Sequence, residues 1–375
     1  MTMALYSVAV FFFWAAQYIY LPTLPTYAQS KVNDLSLVGF VLSMYGLWQA
    51  LIRLPLGIAS DWFGWRKPFL IGGLALAGVG AWVMATSDNF AGLAIGRSIT
   101  GLSAGTWVVL VVAFSALFPP EEAVRASALL TLFNSAGRIV ATATTGILTD
   151  IGSTLPFFVA TGIGLFSAII ILPVDEPRRP PKAPSIAGIG RLLARRDVMV
   201  PTLLSTIAQY ALWTTSFGFL TMLAKQLGAS NVMQSAVVTL HLVFVVLGNL
   251  IVSSQTKRVG TQRLVYASFA LLFVGMMIAA LAPSLLILFA APVFIGLALG
   301  IGYPVTMGMS IARVDDAERT IAMGLHQAIY ATGMFVGPAL SGVLADHIGL
   351  QPMFGVTAGA CLVLGLIGTR YIESK

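Results

Sequence analysis

Residues 53–68 read RLPLGIASDWFGWRKP. Gly57, Asp61, Gly64, Arg66 and Lys67 stand there at the spacing G-x-x-x-D-x-x-G-x-[RK]-[RK]. Gly57 predicts close helix approach, and Gly64 predicts a sharp turn that only glycine makes cheaply. Asp61 offers a carboxylate that can take charge-assisted hydrogen bonds or cap a neighbouring helix. Apolar runs flank the stretch, at 36–56 and 68–86. It therefore reads as a short turn on the side of a membrane where Lys and Arg collect.

The composition agrees. The chain has 375 residues, 58% hydrophobic and 9% charged, with a mean hydropathy of +0.90. A soluble domain needs roughly 25% charged residues to cover its surface. Thirty-seven Gly and 18 Pro amid so much apolar sequence exclude disorder and coiled coil, and a single Cys, Cys361, excludes a disulfide framework or a Cys-based metal centre.

A helix needs about 20 apolar residues to cross the hydrocarbon core. Twelve such runs lie near 3–22, 36–56, 68–86, 91–117, 126–149, 155–174, 199–222, 232–253, 264–282, 285–312, 321–345 and 351–371. The first shows no Lys or Arg ahead of it and no cleavage site after it, so it is expected to remain as a helix. The expected fold is an all-α membrane protein: twelve transmembrane helices as two pseudo-symmetric six-helix bundles, 1–174 and 199–375. Between them, 175–198 is a Pro-rich, basic cytoplasmic linker with one amphipathic surface turn. With the N-terminus inside, seventeen of the 21 Lys and Arg fall on the inner side or at inner helix ends, Arg53 among them; Lys31 and Lys225 fall outside, and Arg97 and Arg138 within the membrane. This bias predicts both termini cytoplasmic. It also accounts for the net charge of +7 without nucleic acid, with contact to membrane lipid instead.

The two halves repeat at an offset of 196 residues. Gly64 falls on Gly260, Gly137 on Gly333, Gly146 on Gly342, Asp150 on Asp346 and Pro156 on Pro352; GILTD (146–150) and GVLAD (342–346) close spans 5 and 11. Such a repeat predicts a pseudo-twofold axis along the membrane normal, with a site at the midplane between the halves.

With these spans around it, the 53–68 stretch resembles the signature loop of the major facilitator superfamily, and the resemblance covers all twelve spans. It implies alternating access, with Gly57, Asp61, Gly64, Arg66 and Lys67 as a conformational latch. The second copy, SSQTKRVGTQR (253–263), has Lys257 where the acid would stand. Span 4 carries IGRSITGLSAG (95–105), similar to the family's fourth-helix motif through Arg97, with Gly101 and Gly105 giving a smooth face. Span 11 carries GMFVGPALSG (333–342), whose Gly333, Gly337, Pro338 and Gly342 resemble the antiporters' Gly-Pro motif; the family normally places that motif in span 5, where this chain has Arg138.

No acidic residue falls mid-membrane. Arg138 does, at a cost of at least about 2.5–3.5 kcal/mol on insertion scales, which makes it a functional candidate. Thr131, Asn134, Arg138, Thr142, Thr145 and Thr149 recur at helical spacing as a polar stripe. The candidate substrate-binding residues are Arg138, Asn134, Gln17, Trp107, Tyr210, Trp213, His241 and Tyr330. Against Arg138 stands the plainer reading that it bonds backbone carbonyls and neighbouring hydroxyls or snorkels; against the aromatics stands helix packing, and against His241 a neutral ring bonded to a hydroxyl. Arg97 is weighed as a second contact, though its family role is often structural. His241 is a candidate for a coupling proton.

The sequence therefore predicts a secondary active transporter of a small organic solute in a bacterial-type inner membrane. It leans to export of metabolites or drugs, because the R-x-P-x-G entry to the loop and the Gly-Pro span 11 resemble a branch with many exporters. Uptake of an organic anion clamped by Arg138 is the alternative. No metal or cofactor is expected, G-x-x-x-x-G-K-[ST] is absent, and a monomer suffices for the architecture. An intramembrane enzyme lacks convergent catalytic groups, and a transport-dead receptor would usually carry a soluble extension.

Overall fold

The computed structural model describes residues 1–176 and 186–372. The middle of the linker, with Arg178, Arg179 and Lys182, and the last three residues, with Lys375, lie outside the described residues. Among the described residues twelve helical crossings and no strand are present: α1 (Thr2–Tyr18), α2 (Leu35–Phe63), α3 (Lys67–Ala85), α4 (Phe90–Ser115), α5 (Ala123–Ile151), α6 (Leu155–Ile171), α7 (Arg196–Thr214, then a π-type turn Thr215–Phe219 and Leu220–Gln226), α8 (Asn231–Val259), α9 (Thr261–Leu281), α10 (Leu285–Ile311), α11 (Asp316–Ile348) and α12 (Leu350–Arg370). Eight of these are long and apolar enough to cross a bilayer by themselves, and α1 and α6 are apolar but shorter. The other two depart for local reasons: α5 carries the polar stripe and α7 is interrupted. A short helix, Ile186–Ala194, leads into α7 and packs on α7 and α11. Its Leu192 is buried with Val198, Val314, Ala322 and Leu325.

Local chemistry sets the ends. Pro68, Pro156 and Pro292 stand in the first turns of α3, α6 and the main part of α10, where the missing N–H costs nothing. Asn89 caps α4 by accepting from Gly92 N–H at 2.9 Å, and Ser230 caps α8 by accepting from Met233 N–H at 3.2 Å. Gly64 ends α2 at φ 63°, and its repeat partner Gly260 ends α8 at φ 85°. Both lie in the region an L side chain avoids.

The packing repeats as the sequence does. In the first half α1 packs on α5 and α6, α2 on α4, and α3 on α4 and α6. In the second half α7 packs on α11 and α12, α8 on α10, and α9 on α10 and α12. Adding six to each helix number turns the first set into the second; α7 also packs on α10, without a matching contact of that size in the first half. Two large contacts join the halves, α2 with α11 and α5 with α8, and the same operation exchanges them. The fold is two pseudo-symmetric six-helix bundles.

In lipid, helices associate through close packing of small residues rather than through the hydrophobic effect. On the α2–α11 seam a Cβ added to Gly39 would meet Pro338 O and stand 3.0 Å from Gly342 Cα; one added to Gly342 would stand 2.6 Å from Leu35 O. A Cβ added to Gly101 of α4 would stand 2.8 Å from Tyr45 O of α2, and one added to Gly337 of α11 would stand 2.6 Å from Tyr210 O. Gly57 is different. A Cβ there would find only Val108 at 3.6 Å, so the tight approach expected at the signature loop occurs further up α2, at Gly39 and Gly46.

The molecule has a basic end, carrying the loop at Gly64–Arg66 and the linker, and a far end, carrying Asp150 and Asp346. On the α5–α8 seam Thr142 and Thr145 are fully buried, Asn134 and Arg138 half-buried, and Thr131 exposed. Thr239 donates to Thr142 across that seam at 3.0 Å, and Gly146 lies against Asn231 O, at 2.5 Å from an added Cβ. The seam is tightly packed at the far end, and its polar stripe is less buried toward the basic end.

Candidate functional site

The continuous helices are interrupted in two corresponding places. α1 gives way to turns at residues 19–23, before a short helix Leu24–Gln29, and α7 changes to the π-type turn at 215–219. These two stretches are related by the 196-residue offset of the repeat. Pro22 stands in the first, and Gly218 at φ −121° and ψ −108° kinks the second. Paired breaks of this kind, where backbone polar groups leave the helix ladder, mark sites lining a cavity between halves.

Beside the breaks sits Arg138. Its guanidinium carbon is 4.3 Å from the ring centre of Tyr18, 5.6 Å from Trp14 and 5.9 Å from Phe217. Tyr18 ends α1 just before its break, and Phe217 lies inside the break of α7. Tyr18 meets Phe217 at 5.5 Å and Trp14 meets Trp107 at 5.1 Å. His241 adjoins Phe217 at 5.6 Å, its Nδ1 3.1 Å from Ser216 Oγ. The ring faces hold the cation by up to about 2 kcal/mol when water is excluded. They do not neutralise it. Arg138 Nε and Asn134 Oδ1, one turn apart, are buried without a partner, as is Trp14 Nε1.

Arg97 is fully enclosed, at 1% exposure. It lies 4.1 Å from the Tyr45 ring and 5.6 Å from Trp213, and donates to Tyr20 OH at 3.4 Å. Trp213 in turn stacks on Tyr45, 4.8 Å away at 29°. This cluster ties α4, α2 and α7 together, and Arg97 Nε and Nη2 are buried without a partner within it. Gln17 donates to Ser103 Oγ at 3.0 Å and Thr100 O at 3.3 Å, binding α1 to α4. Tyr210 turns away to Ser341, at 3.2 Å.

The cluster that sequence reasoning missed surrounds Arg53. It is 3% exposed and bridges the halves. Its Nη1 donates to Tyr330 OH at 2.6 Å and Gln327 O at 3.3 Å, and its Nη2 to Gln49 Oε1. The Tyr303 ring meets Tyr330 edge-on at 5.7 Å. His326, on the same face of α11, has Nδ1 3.0 Å from Thr202 Oγ1 and a buried Nε2 without a partner. The helix boundary accounts for its burial. The run at 36–56 ends near Arg53, but the helix continues through DWF to Phe63, which draws Arg53 inward. Gln49 one turn before Arg53 was the available signal.

Among the described residues no Asp or Glu is buried, and no carboxylate pairs with Arg53, Arg97 or Arg138. The signature loop is held within the first half: Arg66 Nη2 donates to Asp61 at 2.8 Å, and Glu176 accepts from Arg66 and Lys67 N–H at 3.1 and 2.6 Å.

The chain matches the profile of the Major Facilitator Superfamily over residues 6–217 and 202–374. The inner membrane transport protein YajR of Escherichia coli is 38% identical over 88 residues, 23% of this chain and 19% of that protein. The tetracycline resistance protein, class C, of Escherichia coli is 25% identical over 340 residues, covering 85% of this chain and 83% of that one. In fold the chain is similar to the nucleoside transporter NupG, with a TM-score of 0.83 at 15% identity over the whole of both chains. A profile that spans both halves, on a fold whose two bundles exchange under the same repeat, places this chain in the major facilitator superfamily.

Proposed function

We propose that this transporter carries a small organic anion by alternating access, and that its direction is export. The observation that carries the reading is Arg138: a half-buried guanidinium among three rings at the paired helix breaks, its Nε unpaired and no carboxylate beside it. A cation so placed is stabilised most by an anion brought in from outside the protein. Trp14 Nε1 supplies a second donor beside it, and Asn134 Oδ1 an acceptor for a hydroxyl or amine on the same solute. The flat walls of Trp14, Tyr18 and Phe217 accommodate its apolar part. Binding neutralises the site, and the halves then rock about the α2–α11 and α5–α8 seams. A coupling proton would ride on a histidine, with His241 the nearer to Arg138. Similarity to a tetracycline resistance protein over most of the chain supports export. The lysine and arginine bias supports cytoplasmic termini in an inner membrane.

The test is flux in proteoliposomes with labelled carboxylates, phosphates and cationic drugs, with and without an imposed proton gradient. Anions should move, and Arg138→Gln should raise their KM tenfold or more, since a charge-assisted hydrogen bond contributes about 1.5–3 kcal/mol. Transport confined to cations and indifferent to Arg138→Gln overturns the reading.

A further inference from the structure

Asp150 and Asp346 close α5 and α11, and the sequence shows them only as repeat partners. In the structure each reaches across to the other half. The Asp346 carboxylate accepts from Leu35 N–H at 2.8 Å and Ser36 N–H at 2.7 Å, in the first turn of α2. Asp150 Oδ1 accepts from Asn231 Nδ2 at 2.8 Å, at the first residue of α8. Leu35 and Asn231 are themselves 196 residues apart. One device is therefore built twice, a carboxylate at the end of one helix seated on the start of its neighbour in the opposite half. Beside it Thr26 donates to Gln234 at 3.1 Å, also across the halves.

These bonds exist only while the far ends are together. A carboxylate at a helix start meets unpaired N–H groups and the positive end of the helix dipole, and bonds to a charged acceptor are about twice as strong as neutral ones. Asp61, at the basic end, bonds within its own half, to Arg66. The far-end acids are engaged while the basic-end acid is withdrawn from the second half.

We propose that Asp150 and Asp346 are a twofold pair of clasps that set the balance of the transport cycle by holding the far end closed. The proposal rests on the alternating-access reading. An interaction present in one state alone shifts the two populations by its full strength. Asp346→Asn keeps the shape and loses the charge and one of two N–H partners, so the ratio of far-end-open to far-end-closed molecules should rise about tenfold. Asp150→Asn exchanges a charged for a neutral acceptor and should raise it about threefold. The double variant should approach the product, since the two seams are separate.

The measurement is spin-label distances in the full chain, in a Cys361→Ala background. One label pair, Leu37→Cys with Ile348→Cys, spans the far end; the other, Ser127→Cys with Ser254→Cys, spans the basic end. All four positions are exposed. The double Asp→Asn variant should gain a longer far-end distance and lose the longer basic-end distance together, which loosened folding would not do. Asp88→Asn, an acid at the same end that pairs with Lys31 within the first half, should change neither. Unchanged distances in the double variant, lengthening at both ends, or an equal shift from Asp88→Asn would overturn the clasp. The anions that the protein transports separate this failure from the broader one. If they never move the two pairs reciprocally in the unmodified protein, alternating access itself falls; if they do while the double variant stays like the parent, only the clasp falls.

Discussion

Gly46→Leu should abolish transport, lowering the initial rate in proteoliposomes more than a hundredfold. A Cβ on Gly46 would press on Met334 C and Phe335 N and stand 2.7 Å from Met334 O, and every one of these atoms is backbone of α11. Ordinary contact begins near 3.4 Å, so α2 and α11 would have to part by about 1 Å along the larger of the two seams. Overpacking usually costs about 1–3 kcal/mol where side chains can yield. Here nothing on the facing side can rotate away, and the strain falls on the contact about which the halves move. Gly72→Leu is the matched control. It lies on the neighbouring helix with nothing within 4 Å of an added Cβ, and should keep its rate and its melting temperature in detergent. A Gly46→Leu protein that transports like the parent would show that the seam is slack.

For Arg53→Met the expected result is a split between stability and transport. The substitution keeps an unbranched apolar stem, stops short of the guanidinium nitrogens and removes the charge. Two opposing terms bear on stability. Burying an unpaired cation costs several kcal/mol, which methionine relieves; against this, Gln327 O, Gln49 Oε1 and Tyr330 OH lose their donor, at about 1–3 kcal/mol for each acceptor left unpaired. The two nearly cancel, and the melting temperature should move by only a few degrees. Transport has no such compensation. A unit charge buried where the halves meet favours an anion held between them, so affinity for an anionic solute should fall about tenfold. Arg53→Lys should recover part of it. Equal loss of stability and transport in the methionine variant would reduce Arg53 to a structural tie.

The sequence carries the fold because both of its signals are local or nearly so. Apolar length sets each crossing, and the 196-residue offset relates the halves without any knowledge of contacts. GILTD and GVLAD, Gly64 and Gly260 could all be paired on paper, and they occupy corresponding places in space. The site was less legible. Arg138 stood out because a charge in the middle of an apolar run is costly wherever it points. Arg53 did not, because its depth depends on whether a helix stops at Gly57 or at Gly64, and the polar residues SD within that stretch hide the continuation. Nor could the sequence say that Arg97 would be shut in by Tyr45 and Trp213, since those rings come from α2 and α7 and meet only through the packing of one half on the other. Tyr210 entered the candidate set as a ring that could stack on a solute; its helical phase turns its hydroxyl to Ser341.

The bare meeting of Gly39 with Gly342 has a mechanical consequence. Two surfaces that touch through backbone alone have no teeth to disengage, so one can slide over the other without waiting for rotamers to reset. Friction in this carrier is then concentrated where side chains interlock, in the polar lining and at the helix tips. Cargo-facing residues can be exchanged for a new passenger while the bearing keeps running.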